Sequence, residues 1–166
     1  MKSLELRWGL IIGLANMGWL YASYFFGMHN SGIGLMQVMV AMSFFISLAG
    51  YALALRAITR AEPETNFLEG MRSGVIIAGI AAALAMISQL IYFHWINPGW
   101  TAYMVAETRR HFSAMGLEAP QIEEMAIQAE KSFGLTSYVF QAGLGALISG
   151  IIFSALAMGV IRLRAR

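Results

Sequence analysis

"SGVIIAGIAAALAMISQLIYFHWINPGW", Ser73 to Trp100, decides how the rest of the chain is read. It holds no aspartate, glutamate, lysine or arginine. At about 1.5 Å per residue, its apolar part exceeds the roughly 20 residues that a helix needs to cross a hydrocarbon core. The run ends on Tyr92, Phe93, His94 and Trp95, just ahead of Pro98. A soluble helix of this length would show a charged face to water, and this one has none to show. The stretch therefore reads as a membrane span over 73–96. Tyr92, Trp95 and Trp100 are expected as anchors at headgroup depth, where Tyr and Trp are enriched. His94, in the same belt, reads as an interfacial residue and not as a ligand.

Three more runs have the same character, giving expected spans over 8–26, 35–55, 73–96 and 137–161. Composition agrees, with 58% apolar residues and 12% charged ones, against about 25% charged in an ordinary soluble domain. The first run follows Lys2 and Arg7 but is too long for a signal peptide, and bulky Tyr24, Phe25 and Phe26 follow Ala22 where small residues would be needed. It reads as a retained span. With no cysteine, thiolate metal sites, disulfides and cysteine nucleophiles are excluded together. The basic residues flank the apolar runs instead of forming a face, so the lipid bilayer, and not nucleic acid, is the expected partner.

Those flanks set an orientation. Lys2, Arg7, Arg56, Arg60, Arg72, Arg162, Arg164 and Arg166 fall on one side if the spans alternate, and they are eight of the eleven basic residues. The other side holds Arg109, Arg110 and Lys131 among Glu107, Glu118, Glu123, Glu124 and Glu130. The positive-inside bias then places both termini in the cytoplasm.

Between the last two spans, residues 97–136 form the sizeable non-membrane part. Asn97 as N-cap with Pro98 in the first turn starts one helix, and Gly116 ends it. Pro120 starts a second, in which Ile122, Met125, Ala126, Ala129 and Phe133 recur at helical spacing opposite Glu123, Glu124 and Lys131. An amphipathic helical hairpin on the outer face is the expectation. On the inner side, Thr65 or Asn66 is placed to cap the third span.

Polar residues within spans are costly and so are candidates for function. Asn16 lies near mid-membrane, and Gln37, Gln89 and Gln141 lie at similar depth in the outer half, where bonds between helices would act as structural glue. The alternative is a path for a polar solute. Met36, Met39 and Met42, near Met28 and His29, could suit Cu(I), but methionine is an ordinary filler of apolar helices, so no metal or cofactor is expected. Small residues recur every fourth position in the third span (Gly70, Gly74, Ala78, Ala82) and the fourth (Ala142, Ala146, Gly150, Ser154). In lipid, close backbone approach through such stripes contributes by dispersion, so they are expected to face protein, most simply each other, or a seam with a second copy.

The run "FLEGMRSGVIIAGIAAALAMISQLIYFHWINPGW", with Phe67 and Gly70 before the span, Gly74 in its first turn and the "IYFHWINP" exit, resembles the third-helix region of domain-of-unknown-function family 4199. "RWGLIIGL" in the first helix is similar too. The resemblance implies a small four-helix protein of the bacterial inner membrane, and it carries no catalytic or binding residue with it. The expectation is thus an all-α, four-span membrane protein that is not an enzyme. It would be a structural, accessory or assembly partner of another membrane protein, or alternatively a small carrier or channel for a neutral or weakly polar solute.

Overall fold

The computed structural model describes residues 2–30 and 33–164. Ser31 and Gly32, between the first two expected spans, and Arg166 among the flanking charges lie outside them. The described residues form six α-helices: α1 (Lys2–Phe25), α2 (Ile33–Ala61), α3 (Phe67–Ile91), α4 (Trp100–Ala114), α5 (Ala119–Ser132) and α6 (Leu135–Arg164). A short 3-10 turn (Met28–Asn30) follows α1, and a π-helical turn (Tyr92–Ile96) extends α3. Each long helix begins or ends several residues beyond its apolar run, because the helix continues through the polar turn at its mouth.

Among the described residues, three helical segments are long and apolar enough to cross a membrane: Gly34–Ala61, Phe67–Ile96 and Leu135–Leu163. The protein is therefore a helical membrane protein. α1 falls short of that measure because Asn16, Trp19, Tyr21 and Ser23 dilute it.

The four long helices form a ring in the order α1, α2, α6, α3, each touching the next, with α3 on α6 the most extensive contact. That seam is where the small stripes meet. An added Cβ at Gly150 would lie 2.7 Å from the Ala78 Cβ, one at Gly74 would strike Ser154, and one at Gly70 would strike Met158. Numbers fall along α6 as they climb along α3, so the two helices run antiparallel in one register. Gly9 and Gly13 of α1 meet Ile80 and Leu84 of α3 in the same close manner.

Two buried clusters result. One lies toward the chain termini and contains Ile12, Tyr51, Leu55, Ile58, Ile77 and Met158. The other lies at the opposite, capped end and contains Tyr92, Phe93, Trp100 and Met104, with Tyr24, Phe133 and Tyr138 against them. At the terminal end polar ties join the helices. Ser73 Oγ donates to the buried Glu5 carboxylate (2.6 Å), and Arg162 donates to the Thr65 carbonyl (2.9 Å). Asn66 caps α3 in a reciprocal box with Glu69, as the sequence suggested.

At the other end α4 and α5 pack on each other beyond the Gly116 turn, where φ is +79° and glycine alone is unstrained. The exposed Arg109–Glu123 pair (3.0 Å) spans them and contributes about 0–1 kcal/mol at most. More is done by burial of Met104, Ala126 and Ala129 on these helices, Met104 within the Tyr92–Trp100 cluster. The start of α4 departs from expectation. Gly99 is its N-cap, because Asn97 closes the π-turn instead, its N–H bonding the Tyr92 carbonyl at 2.7 Å.

Candidate functional site

Between the two clusters the ring is hollow. A half-open cavity of about 570 Å³ lies there, walled by α1, α2, α3 and α6 and roofed by Trp100 and Phe133. Its cause is the continuation of the small stripes. In the terminal half, a small residue on one helix faces a neighbour that reaches into it. Toward the cap, Ala81 and Ala85 on α3 and Ala142, Gly145 and Ala146 on α6 all line the space, so neither helix fills it. Met86, against Gly143, props the two helices apart there, since an added Cβ at Gly143 would lie 2.8 Å from its sulfur.

The walls carry polar groups of two kinds. Some are satisfied. Asn16 Nδ2 donates to the Ile12 carbonyl and to Ser47 Oγ, both at 3.0 Å, and Trp19 Nε1 donates to the Met39 carbonyl at 3.0 Å, so α1 and α2 are tied across the cavity wall. Gln141 Nε2 donates to Ser137 Oγ (2.6 Å). Others are not. Ser88 Oγ and Gln89 Oε1 are buried without a hydrogen-bond partner, and Trp100 Nε1 is buried beside the Tyr138 hydroxyl. A buried polar atom left alone costs about 1–3 kcal/mol. These atoms are closed off from the cavity as well as from the outside.

At the capped end a single chain of hydrogen bonds links three helices. Ser23 Oγ donates to the Leu20 carbonyl (2.8 Å), which commits its one proton. His29 Nε2, 2.9 Å away, must then be the donor to Ser23 Oγ. That leaves His29 Nδ1 as acceptor for the Tyr92 hydroxyl, whose oxygen in turn accepts from Asn97 Nδ2 at 2.8 Å. Every member has a partner, and the chain closes only if His29 is neutral. Burial acts in the same direction, lowering the His29 pKa from its ordinary 6.5. Trp100 lies against His29 at 5.3 Å between ring centroids and Tyr24 meets Tyr92 edge-on at 5.9 Å, so the network is sealed by aromatic faces.

Ser23 and His29 are close enough to suggest a nucleophile and its base, but the arrangement is wrong for that. The serine proton points at a main-chain carbonyl and not at His29, and the far ring nitrogen meets a phenol where a carboxylate would be needed. Among the described residues, the cavity walls include no Asp, Glu, Lys or Arg. Such walls suit an uncharged guest.

The expected site residues separate accordingly. Asn16, Gln89 and Gln141 line the cavity, while Gln37 lies in a shallow surface groove of about 420 Å³ along the outside of α2. The hydrogen bonds described for Asn16 and Gln141 go to serines and carbonyls and not to one another, so the expected glutamine-to-glutamine glue is corrected. The aromatic belt is corrected too. Trp95 is 75% exposed, but Tyr92 (1%) and Trp100 (3%) are core residues, turned inward by the π-turn and the start of α4. Among the small residues, Gly70, Gly74, Ala78 and Gly150 lie in the α3–α6 seam, Ser154 faces Gly74, and Ala142 and Ala146 line the void. Ala82 is buried beside them. Met36 and Met39 line the cavity, whereas Met42 is exposed. The sequence read His94 as interfacial, and it is exposed; His29 entered only beside the methionines as a conceivable copper ligand, and it is buried. The one available signal was a histidine directly after the aromatic run Tyr24, Phe25 and Phe26.

A family model described as "Protein of unknown function (DUF4199)" matches residues 7–162. Neither a curated protein nor a solved structure matches the chain. With nearly its whole length covered, the chain belongs to the DUF4199 family.

Proposed function

We propose that this DUF4199 member is a four-span protein of the bacterial inner membrane that holds a small uncharged molecule within its helical ring. α1 is the fourth span on this reading. Its 24 residues reach about 36 Å. The polar groups that dilute it are turned inward onto partners, as Asn16 is to Ser47 and Tyr21 to the Ser88 carbonyl, while Leu10, Ile11 and Leu14 remain outside for lipid. Arg7, Arg56, Arg60, Arg72 and Arg162 lie toward the terminal end, which the positive-inside bias makes cytoplasmic. The α4–α5 hairpin then caps the periplasmic mouth.

The observation that carries the ligand reading is the cavity reaching Asn16, with uncharged polar groups such as Asn16, Gln89 and Gln141 on its walls. A purely structural or assembly partner needs dry packing at that depth and gains nothing from a void. A cavity of this volume lies within the usual 300–1,000 Å³ of small-molecule sites. The role is binding or carriage without chemistry, since among the described residues no charged side chain and no activated nucleophile faces the space. Ala142→Leu, which fills it, tests this. Organic extracts of the purified wild-type protein should contain a small molecule by mass spectrometry, and extracts of the equally stable variant should lack it. Empty extracts from both would return the protein to the accessory class.

A further inference from the structure

We propose, resting on that ligand reading, that the cavity is loaded sideways from the bilayer by an uncharged lipid, through a gap between α2 and α6. Its uncharged polar head would lodge inside the ring, among Asn16, Gln89 and Gln141.

The route follows from what is closed. Toward the termini, Gly50 packs on Ile12 and the Tyr51 ring lies under Gly150, so the floor is sealed. Toward the cap, His29, Tyr92 and Trp100 are 5%, 1% and 3% exposed, and the roof is an aromatic plug. The side is different. All cavity-lining residues of α1 and α3 are buried or half-buried, but Val40 and Phe44 on α2 and Gln141 and Gly145 on α6 are exposed while lining the same space. The surface groove on α2 shares Met36, Val40 and Phe44 with the cavity and continues it outward. The Phe44–Phe153 contact, edge-on at 5.9 Å, marks the foot of the gap. An opening on the flank of a membrane helix ring faces acyl chains, not water.

The head chemistry follows from the walls. They offer uncharged hydrogen-bonding groups, Asn16, Gln89 and Gln141 among them. A phosphate or an ammonium would find no counter-charge on the described walls and would be strongly penalised. The head is therefore polar and uncharged, and the apolar side chains between Val40 and Phe44 suit the tail that trails back into lipid. A prenyl quinone and a neutral glyceride both have this chemistry.

The test uses the full chain in detergent, with decyl-benzoquinone in one arm and a monoacylglycerol in the other, read as a saturable rise in melting temperature. One of the two should give it, and which one names the source. Gly145→Leu is the control for the route. Nothing lies within 4 Å of a Cβ added there, so the variant folds, yet its side chain stands in the gap. It should melt like the parent and lose the shift. A shift that survives Gly145→Leu undiminished would overturn the sideways route. A guest recovered from the wild-type extract that proves charged or water-soluble would overturn the lipid assignment while leaving the binding reading intact. A homodimer cross-linked through cysteines at Val40 and Gly145 would also overturn the proposal, because the gap would then be a seam.

Discussion

Gly150→Ala and Gly145→Ala are the same substitution on the same helix, five residues apart, and they should differ in sign. Each removes a helical glycine, which in isolation favours the helix by about 0.8–1.0 kcal/mol. At Gly145 the new methyl meets nothing within 4 Å, so that gain stands. At Gly150 it would lie 2.7 Å from the Ala78 Cβ and 2.8 Å from Tyr51 Cζ. Carbon atoms rest at about 3.5–4.0 Å, so α3 and α6 must part by about 1 Å, or Tyr51, itself 1% exposed, must leave its site. Overpacking of that kind costs about 1–3 kcal/mol. Because the propensity term is common to both variants, it cancels in the comparison, and the difference between them, about 1–3 kcal/mol, reports packing alone. Reversible unfolding in mixed micelles, followed by helical circular dichroism, measures it. Equal stabilities for the two variants would refute the α3–α6 seam.

Acidification should weaken the fold through His29. Its folded pKa lies below the ordinary 6.5, so just below that pH the unfolded chain binds a proton that the folded chain refuses. Stability is then complete above pH 6.5 and falls as pH drops, with a slope of at most about 1.4 kcal/mol per pH unit, and His29→Gln should flatten the profile. Ser73→Ala leaves the buried Glu5 carboxylate without its hydroxyl donor and should cost about 1–3 kcal/mol in the same unfolding assay; no change would show that the bond is idle. Reporter fusions after Glu118 and at the C-terminus should report periplasm and cytoplasm respectively. Both reporters on the same side would remove α6 from the set of spans, and the two sides exchanged would overturn the orientation.

The long apolar helices were legible because nothing but burial in lipid or protein accommodates such uncharged runs. α1 was legible as a helix but not as securely as a span, since hydropathy counts Asn16, Trp19 and Ser23 against it without knowing that their polar atoms turn inward. The small stripes could be read as faces. Whether a given small residue makes a contact or a hole depends on what the antiparallel register sets opposite it, as with Ala78 against Gly150 but Ala85 against Ala142 and Ala146. The aromatic exit misled for a local reason. A π-turn shifts the phase of the helix just where Tyr92 and Trp95 choose their sides, and periodicity alone assumes 3.6 residues per turn. His29 was illegible because its key partner, Tyr92, lies 63 residues away.

The central claim is that an open, guest-sized space lies inside the ring. The chain has no cysteine, so one can be placed without interference. Ala85→Cys puts a thiol on the cavity wall, and Ala54→Cys puts one in the packed cluster, where Ala54 is 0% exposed. A small uncharged methanethiosulfonate applied to membranes should modify Cys at 85 readily and leave Cys at 54 intact. Equal protection of the two would mean that the ring is packed throughout, and the ligand reading would fall with the cavity.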